Sequence, residues 1–182
     1  MKTICGSSCS IIDMAGDFYE TYNRCVENKN VRNNGFGTTI ADVVNVPAIV
    51  NGAFAIELYL KSMIDPKKIE NKRIHSLKRL FSFLEEKEKN ELKTRICEEL
   101  LKMNWQINNN ALQANRKSST EKDIFEICLK GISEAFAYWR YIFEKKNTGF
   151  GFLNTLNVLP VFLKNIKVFA EEKEKIKKSV DK

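Results

Sequence analysis

The stretch AFAIELYLKSMI, from Ala53 to Ile64, decides the fold of this chain. Nearly all of its side chains are apolar, which predicts a helix that is buried on almost every side at the centre of a bundle. Glu57 and Lys61 interrupt the apolar run four residues apart, so they share a helix face and can pair with each other. The helix should begin near Pro47, which suits a first turn, and end at Ile64, because Asp65 precedes a proline.

The composition agrees with a helical protein. The chain has 182 residues, of which 43% are hydrophobic and 29% charged, with only 3 Pro and 8 Gly to interrupt helices. We therefore predict an all-α, single-domain protein over residues 1–182, an up-down bundle of about five to six helices. No apolar run reaches membrane-spanning length, and Asp13 and Asp17 make the beginning of the chain too polar for a signal peptide. We expect a cytoplasmic protein that does not bind a membrane.

Apolar residues at steps of three and four predict the other helices. One covers residues 10–28, one or two cover residues 75–105, a long one covers about 119–147, and the last covers about 153–177, where Pro160 either kinks the helix or lies near its start. Polar, Asn-rich stretches between them predict loops. The tripeptide GFG occurs at Gly35 and Gly149, and both copies are interpreted as turns, because neither continues into a phosphate-binding loop.

The cysteines give no reason to expect a metal. There are five, an odd number, and only Cys5 and Cys9 lie close together in the sequence. A structural zinc site needs more His or Cys nearby, and the chain has one histidine in total. We predict reduced thiols, with Cys25, Cys97 and Cys128 as small core residues, and neither a metal nor a cofactor.

The charge favours an anionic partner. Lys and Arg number 30 against 23 Asp and Glu, a net charge of +7, which suits RNA or a nucleotide. Part of this excess lies on Lys-rich helix faces and in a tail of mixed sign, which also fits a solvated helix end.

The two charges in the central helix need an explanation. They could form an exposed edge of that helix, but the apolar neighbours leave little room for one. A buried carboxylate must find a cation or hydrogen-bond donors. The late sequence AFAYWRYIFEK places Arg140 and Glu144 four residues apart among aromatic side chains. We predict that Glu57 meets Arg140, whose planar fork suits a carboxylate, and that Lys61 and Glu144 extend the network.

His75 is the sole histidine and stands where a helix begins, in RIHSLKRLF. Two interpretations remain open. It could act as a general acid or base near neutral pH. It could instead cap that helix or pack against the bundle, because a single histidine without an evident nucleophile is more often structural.

Three segments together resemble the HEPN (higher eukaryotes and prokaryotes nucleotide-binding) helical domains. They are NGAFAIELYLKSMI, HSLKRLFSFL and FAYWRYIFEK, and the resemblance covers about residues 45–170. It implies an all-α bundle that is commonly a homodimer. It also implies a possible role as a metal-independent ribonuclease in toxin–antitoxin, abortive-infection or phage-defence systems, where an antitoxin would be a partner.

The chain departs from the catalytic motif of that family, an Arg followed four to six residues later by His. Arg140 matches the Arg, but residues 141–147 contain no histidine, and Arg73 lies too close to His75. Metal-independent RNA cleavage needs a base for the ribose 2′-hydroxyl and a cation for the phosphate. Arg140 could hold the phosphate, with His75 or Glu144 as proton carrier, although an adjacent Arg makes Glu144 a weak base.

Three functions therefore remain open. The first is a non-catalytic or divergent HEPN-like protein that binds RNA, a nucleotide or a partner protein, with Glu57, Lys61 and Tyr141 as binding residues. The second is an active ribonuclease toxin that uses Arg140, Glu144 and His75. The third is a structural or interaction module without a nucleic-acid role.

Overall fold

The computed structural model describes residues 10–27, 46–70, 74–102, 121–140 and 153–180, and within the helices it leaves out the side chains of 121–123, 134–140, 153–157 and 180. These ranges contain seven helices and no strand, which confirms the predicted all-α class. The helices are α1 (Ile11–Glu27), α2 (Val46–Met63), α3 (Pro66–Ile69), α4 (Leu77–Ser82), α5 (Glu86–Lys102), α6 (Glu121–Arg140) and α7 (Leu153–Val180).

Helix α2 is the centre of the bundle, as its apolar sequence predicts. It contacts α1, α4, α6 and α7, so neighbours cover it on several sides. Its buried residues run without a break from Ala55 to Leu60. An amphipathic surface helix would alternate buried and exposed faces over that length, whereas a helix that is apolar all round must be enclosed.

Close contacts show the direction of α1 against α2. A Cβ atom at Gly52 would lie 2.9 Å from Tyr22, and one at Gly16 would lie 4.0 Å from the Tyr59 hydroxyl. Numbers rise along one helix as they fall along the other, so the two helices are antiparallel. The missing side chain of Gly52 allows α1 to approach α2 this closely.

Helix α7 packs on α2 and α5 and crosses much of the bundle. Gly52 faces Leu159, and Tyr59 shares a pocket with Lys167, so α7 runs parallel to α2. Ion pairs of Lys164 with Glu99 and of Lys173 with Glu88 make it antiparallel to α5. Pro160 lies inside α7 with its ring exposed, and the helix continues through it.

Helix α2 ends shortly before Pro66, and a short helix follows it. The helix ends at Met63, one residue before the predicted end, and Asp65 then caps a further single turn, α3, which is absent from the predicted helices. The Asp65 carboxylate accepts a hydrogen bond from the backbone N–H of Lys67 at 3.0 Å, and Pro66 occupies the first helical position.

The region from 75 to 105 contains two helices, α4 and α5. Leu77, Leu80 and Phe81 are buried on α4. The idea that His75 caps α4 is wrong, because the capping oxygen belongs to Ser76, which accepts from the N–H of Arg79 at 3.4 Å. The core continues through an aromatic series in which Phe81 meets Phe125, and Phe125 meets Phe162.

Burial varies among the apolar residues of α1 and among the cysteines. On α1, Ala15 is buried, whereas Met14 and Val26 are exposed large hydrophobic residues. Cys97 and Cys128 are buried, as predicted, whereas Cys25 is only partly buried. Burial raises the pKa of Cys128 to about 12. Cys5, Cys9, both GFG turns and the predicted loops lie outside the described residues. None of the described helices combines the length and apolar character that crossing a bilayer requires.

Candidate functional site

The site is built around a carboxylate inside the bundle. Glu57 lies in the middle of the buried part of α2 and is fully enclosed, with a relative exposure of 0%. Its Oε1 atom accepts a hydrogen bond from Lys61 Nζ at 2.7 Å, across one helical turn. The alternative that Glu57 occupies an exposed helix edge is therefore wrong, because the acid is buried and Lys61 reaches inward to it.

The second partner of Glu57 comes from the segment before α4. His75 Nδ1 lies 3.0 Å from the same Oε1 atom, while the His75 side chain is 52% exposed. The start of α4 anchors this segment, because Leu77 is buried and its backbone N–H donates to Ser133 Oγ on α6 at 3.3 Å. Helices α2, α4 and α6 thus hold the imidazole with one edge on the buried acid and the rest near solvent.

This contact selects one form of the imidazole ring. An ionised carboxylate can only accept hydrogen bonds, so Nδ1 carries a proton when it meets Glu57. In the neutral ring, Nε2 then keeps its lone pair and can accept a proton. In many acid–base catalysts a carboxylate orients the catalytic histidine in this way.

The other carboxylate oxygen of Glu57, Oε2, is buried and accepts no hydrogen bond from the described residues. An unsatisfied buried acceptor costs about 1–3 kcal/mol, more when it is charged. Lys61 and His75 are both able to carry positive charge, so the pair of donors on Oε1 offsets the burial of the negative charge.

Helix α4, which begins directly after His75 and Ser76, carries a lysine that shares an acid with a lysine of α5. Lys78 on α4 lies 3.6 Å from Glu126, and Lys93 on α5 lies 3.3 Å from the same carboxylate. Lys78 remains 63% exposed. One carboxylate therefore pairs with two lysines.

The structure brings together Glu57, Lys61 and His75 from the predicted set. Arg140 is the last residue of α6 and its side chain is not described; Tyr141 and Glu144 lie outside the described residues. The predicted contact of Glu57 with Arg140 and Glu144 therefore stays a prediction. The pairing of Glu57 with His75 was missed, since the two residues lie 18 positions apart in the sequence and do not share a helix, so helical periodicity does not relate them.

Comparison with protein-family models shows a match over the helices that form the site. The HEPN domain model matches residues 47–138, which is just over half of the chain. This chain belongs to the HEPN family. The HEPN match begins in the first turn of α2 and ends two residues before the end of α6, so it includes Glu57, Lys61 and His75. No curated protein and no solved structure matches the chain.

Membership of the HEPN family has a general functional meaning. It places the chain in a group of nucleotide-binding and ribonuclease-like proteins. Helices α1 and α7, and Arg140, lie outside the matched residues, although both helices pack directly on α2.

Proposed function

We propose that this HEPN protein binds RNA through the surface that carries His75. One observation supports the proposal above the others: a fully buried acid holds a half-exposed imidazole by one nitrogen and leaves the other nitrogen for a ligand. A ring fixed in this way loses little rotamer entropy when it binds, so it is suited to contact a phosphate or a ribose hydroxyl. Lys61 and Tyr141 are proposed to assist.

The charge of the chain agrees with an RNA ligand. The net charge is +7, and the exposed Lys78 lies on the helix that begins directly after His75 and Ser76. Cations of this kind bind the phosphate backbone without regard to sequence, and the affinity then falls steeply as salt rises. A partner protein would depend less on salt, because its contacts bury apolar surface.

RNA binding is tested by fluorescence anisotropy with a labelled single-stranded RNA over a series of salt concentrations. We expect His75→Ala to weaken binding roughly tenfold or more, because a hydrogen bond to a charged group contributes about 1.5–3 kcal/mol. Lys87→Ala is the control, since Lys87 is exposed on α5 and its loss removes a cation from another helix. Equal affinity of His75→Ala and the parent would reject the proposed surface.

A second function, metal-independent RNA cleavage, is favoured by the Glu57–His75 contact itself. In the proposed reaction His75 Nε2 takes the proton of a ribose 2′-hydroxyl. The 2′-oxygen then forms a bond to phosphorus as the bond from phosphorus to the 5′-oxygen breaks, and the leaving oxygen takes a proton from a protonated acid. Arg140 is proposed to hold the phosphate charge, and Glu144 to carry the second proton.

Cleavage is tested with RNA in the presence of EDTA, comparing the parent with His75→Ala and Arg140→Ala. Removal of a general base should lower the rate by roughly 10²–10⁴-fold. His75→Asn is the informative companion, because Asn can still hydrogen-bond to Glu57 but cannot carry a proton at neutral pH. If the parent does not cleave RNA, binding without catalysis is the remaining function.

The proposed setting is a homodimer in a toxin–antitoxin or phage-defence system, with an antitoxin as protein partner. Sedimentation of the purified chain tests the dimer, and a monomer at high concentration contradicts it. If the parent neither retains nor cleaves RNA at low salt, the third alternative, a module for protein interaction, takes its place.

A further inference from the structure

A second buried polar group lies on α2, two residues from Glu57. Tyr59 is 1% exposed, and its hydroxyl has no hydrogen-bond partner among the described residues. A buried hydroxyl without a partner is unfavourable, so such a group usually takes a hydrogen bond from an ordered water or from a bound ligand. Neither RNA binding nor the Glu57 site uses this group.

The Tyr59 side chain borders a pocket of about 540 Å³ between α1 and α7. Gly16 on α1 also lines the pocket, and a Cβ atom at Gly16 would lie 4.0 Å from the Tyr59 hydroxyl. The hydroxyl therefore points toward the pocket at the place where α1 has no side chain. Both helices that form the walls lie outside the residues matched by the HEPN model.

The walls of this pocket carry more negative than positive charge. Two of these acids lie on α7 and form ion pairs, Glu171 with Lys167 and Glu174 with Lys178. Asp17 and Glu20 also line the pocket, one turn apart on α1, and neither forms an ion pair with a described residue. These two carboxylates face the pocket with only one further cation, Lys175, among the described lining residues.

An aromatic ring in the wall already holds an ammonium group. Lys167 Nζ lies 5.0 Å from the centre of the Tyr19 ring, within the range of a cation–π contact. A primary ammonium has three donors and no acceptor. It therefore matches the free acceptors here, which are a phenolic oxygen and two carboxylates.

We propose that the pocket between α1 and α7 binds a small linear diamine, with one ammonium donating to the Tyr59 hydroxyl and the other held by Asp17 and Glu20. An alkyl chain between two ammonium groups suits a pocket whose lining includes Ile12 and the Tyr19 ring. Burial, followed by the charge of Glu171, raises the pKa of Tyr59, so the phenol stays neutral and offers its lone pairs to a donor.

The test is calorimetric titration of the full chain with 1,4-diaminobutane, with 1-butanol as a neutral probe of similar length. We expect the diamine to bind with a Kd of about 1 mM or tighter and the alcohol not to bind. Tyr59→Phe should bind the diamine about tenfold more weakly, because one hydrogen bond is lost. Without ligand, its melting temperature should equal or exceed that of the parent, because the substitution removes an unpaired hydroxyl.

Asp17→Asn tests the charge, with Glu27→Gln as the matched control. Both remove one negative charge from α1, but Glu27 does not line the pocket. The proposal requires weaker binding in Asp17→Asn alone. Equal weakening in both variants would mean that the diamine responds to overall charge and overturns the site. A Tyr59→Phe variant that binds like the parent, or that melts well below it without ligand, also overturns it.

Discussion

Two regions of the molecule pair acids with bases in opposite surroundings. Around Glu57 one carboxylate, with a side chain only 1% exposed, accepts from Lys61 and His75. Between α5 and α7 an outer set of ion pairs joins side chains that all keep some contact with solvent: Arg95 with Glu172, Glu99 with Lys164, and Glu88 with Lys173. The same kinds of charged group meet in both places.

The difference lies in what happens when one partner is removed. In the outer set, water replaces a lost partner, so each pair contributes only about 0–1 kcal/mol. Glu57 itself is shielded from solvent, so its carboxylate does not regain hydration when a partner is lost, and an uncompensated buried charge is costly. Buried pairs therefore restrict substitution far more than exposed ones, and a buried pair that also holds a half-exposed histidine restricts the orientation of that histidine.

The largest effect is expected for Glu57→Ala. Removing the acid leaves a cavity beside α2 and takes the partner from Lys61, whose side chain is only 20% exposed, so the free energy of unfolding should fall by about 3–5 kcal/mol. Urea unfolding measures the change. Glu99→Ala is the control from the outer set, and equal losses in the two variants would remove the distinction between the regions.

A smaller effect is expected for Lys61→Met. The methionine keeps the apolar stem of the side chain. Glu57 keeps its contact with His75 but loses its closest hydrogen-bond donor, so the free energy of unfolding should fall by about 2 kcal/mol. Lys164→Met, in the outer set, should change the free energy of unfolding by less than about 1 kcal/mol. A Lys61→Met variant that is as stable as the parent would show that His75 alone compensates for the buried charge.

The smallest effect is expected at Glu99 and depends on pH. Burial raises the pKa of this carboxyl, but hydrogen bonds from Lys164 and Asn165 outweigh it, and the pKa lies below its ordinary value of 4.5. A lowered pKa means that the stabilisation is present above 4.5 and is lost as the pH falls through the folded-state pKa. Glu99→Gln should therefore be less stable than the parent by under about 1 kcal/mol at pH 7.

Melting temperatures measured over a range of pH test whether the charge of Glu99 causes this difference in stability. The difference in melting temperature between parent and Glu99→Gln should shrink as the pH falls below 4.5. A difference that stays constant down to strongly acidic pH would mean that Glu99 stabilises the fold by packing and not by charge.

The sequence was sufficient for the central helix and insufficient for its partners. An apolar run that covers every face of a helix can only be buried, so α2 and its place in the bundle can be read from Ala53 to Ile64 alone. On α1 the apolar face of the helix is wider than the part that the neighbouring helices cover. Periodicity could not show that Met14 and Val26 would remain exposed.

The site was partly predictable for the same reason. A charge at Glu57 inside an apolar helix signals a buried polar group, and helical spacing identifies Lys61 as a partner. His75 could not be paired with it, because a proline and a single helical turn lie between the two and set the path of the chain. The open hydroxyl of Tyr59 depends on Gly16, a residue of another helix.

The close approach of α1 to α2 at Gly52 suggests a conditional mutation. A methyl group there would lie 2.9 Å from the Tyr22 ring and 3.2 Å from Leu159, so even alanine forces these side chains to shift. Gly52 lies more than one helical turn from Glu57 along α2. Gly52→Ala is thus a rational choice for a temperature-sensitive allele that loses its fold on warming while its ligand-facing side chains keep their identity.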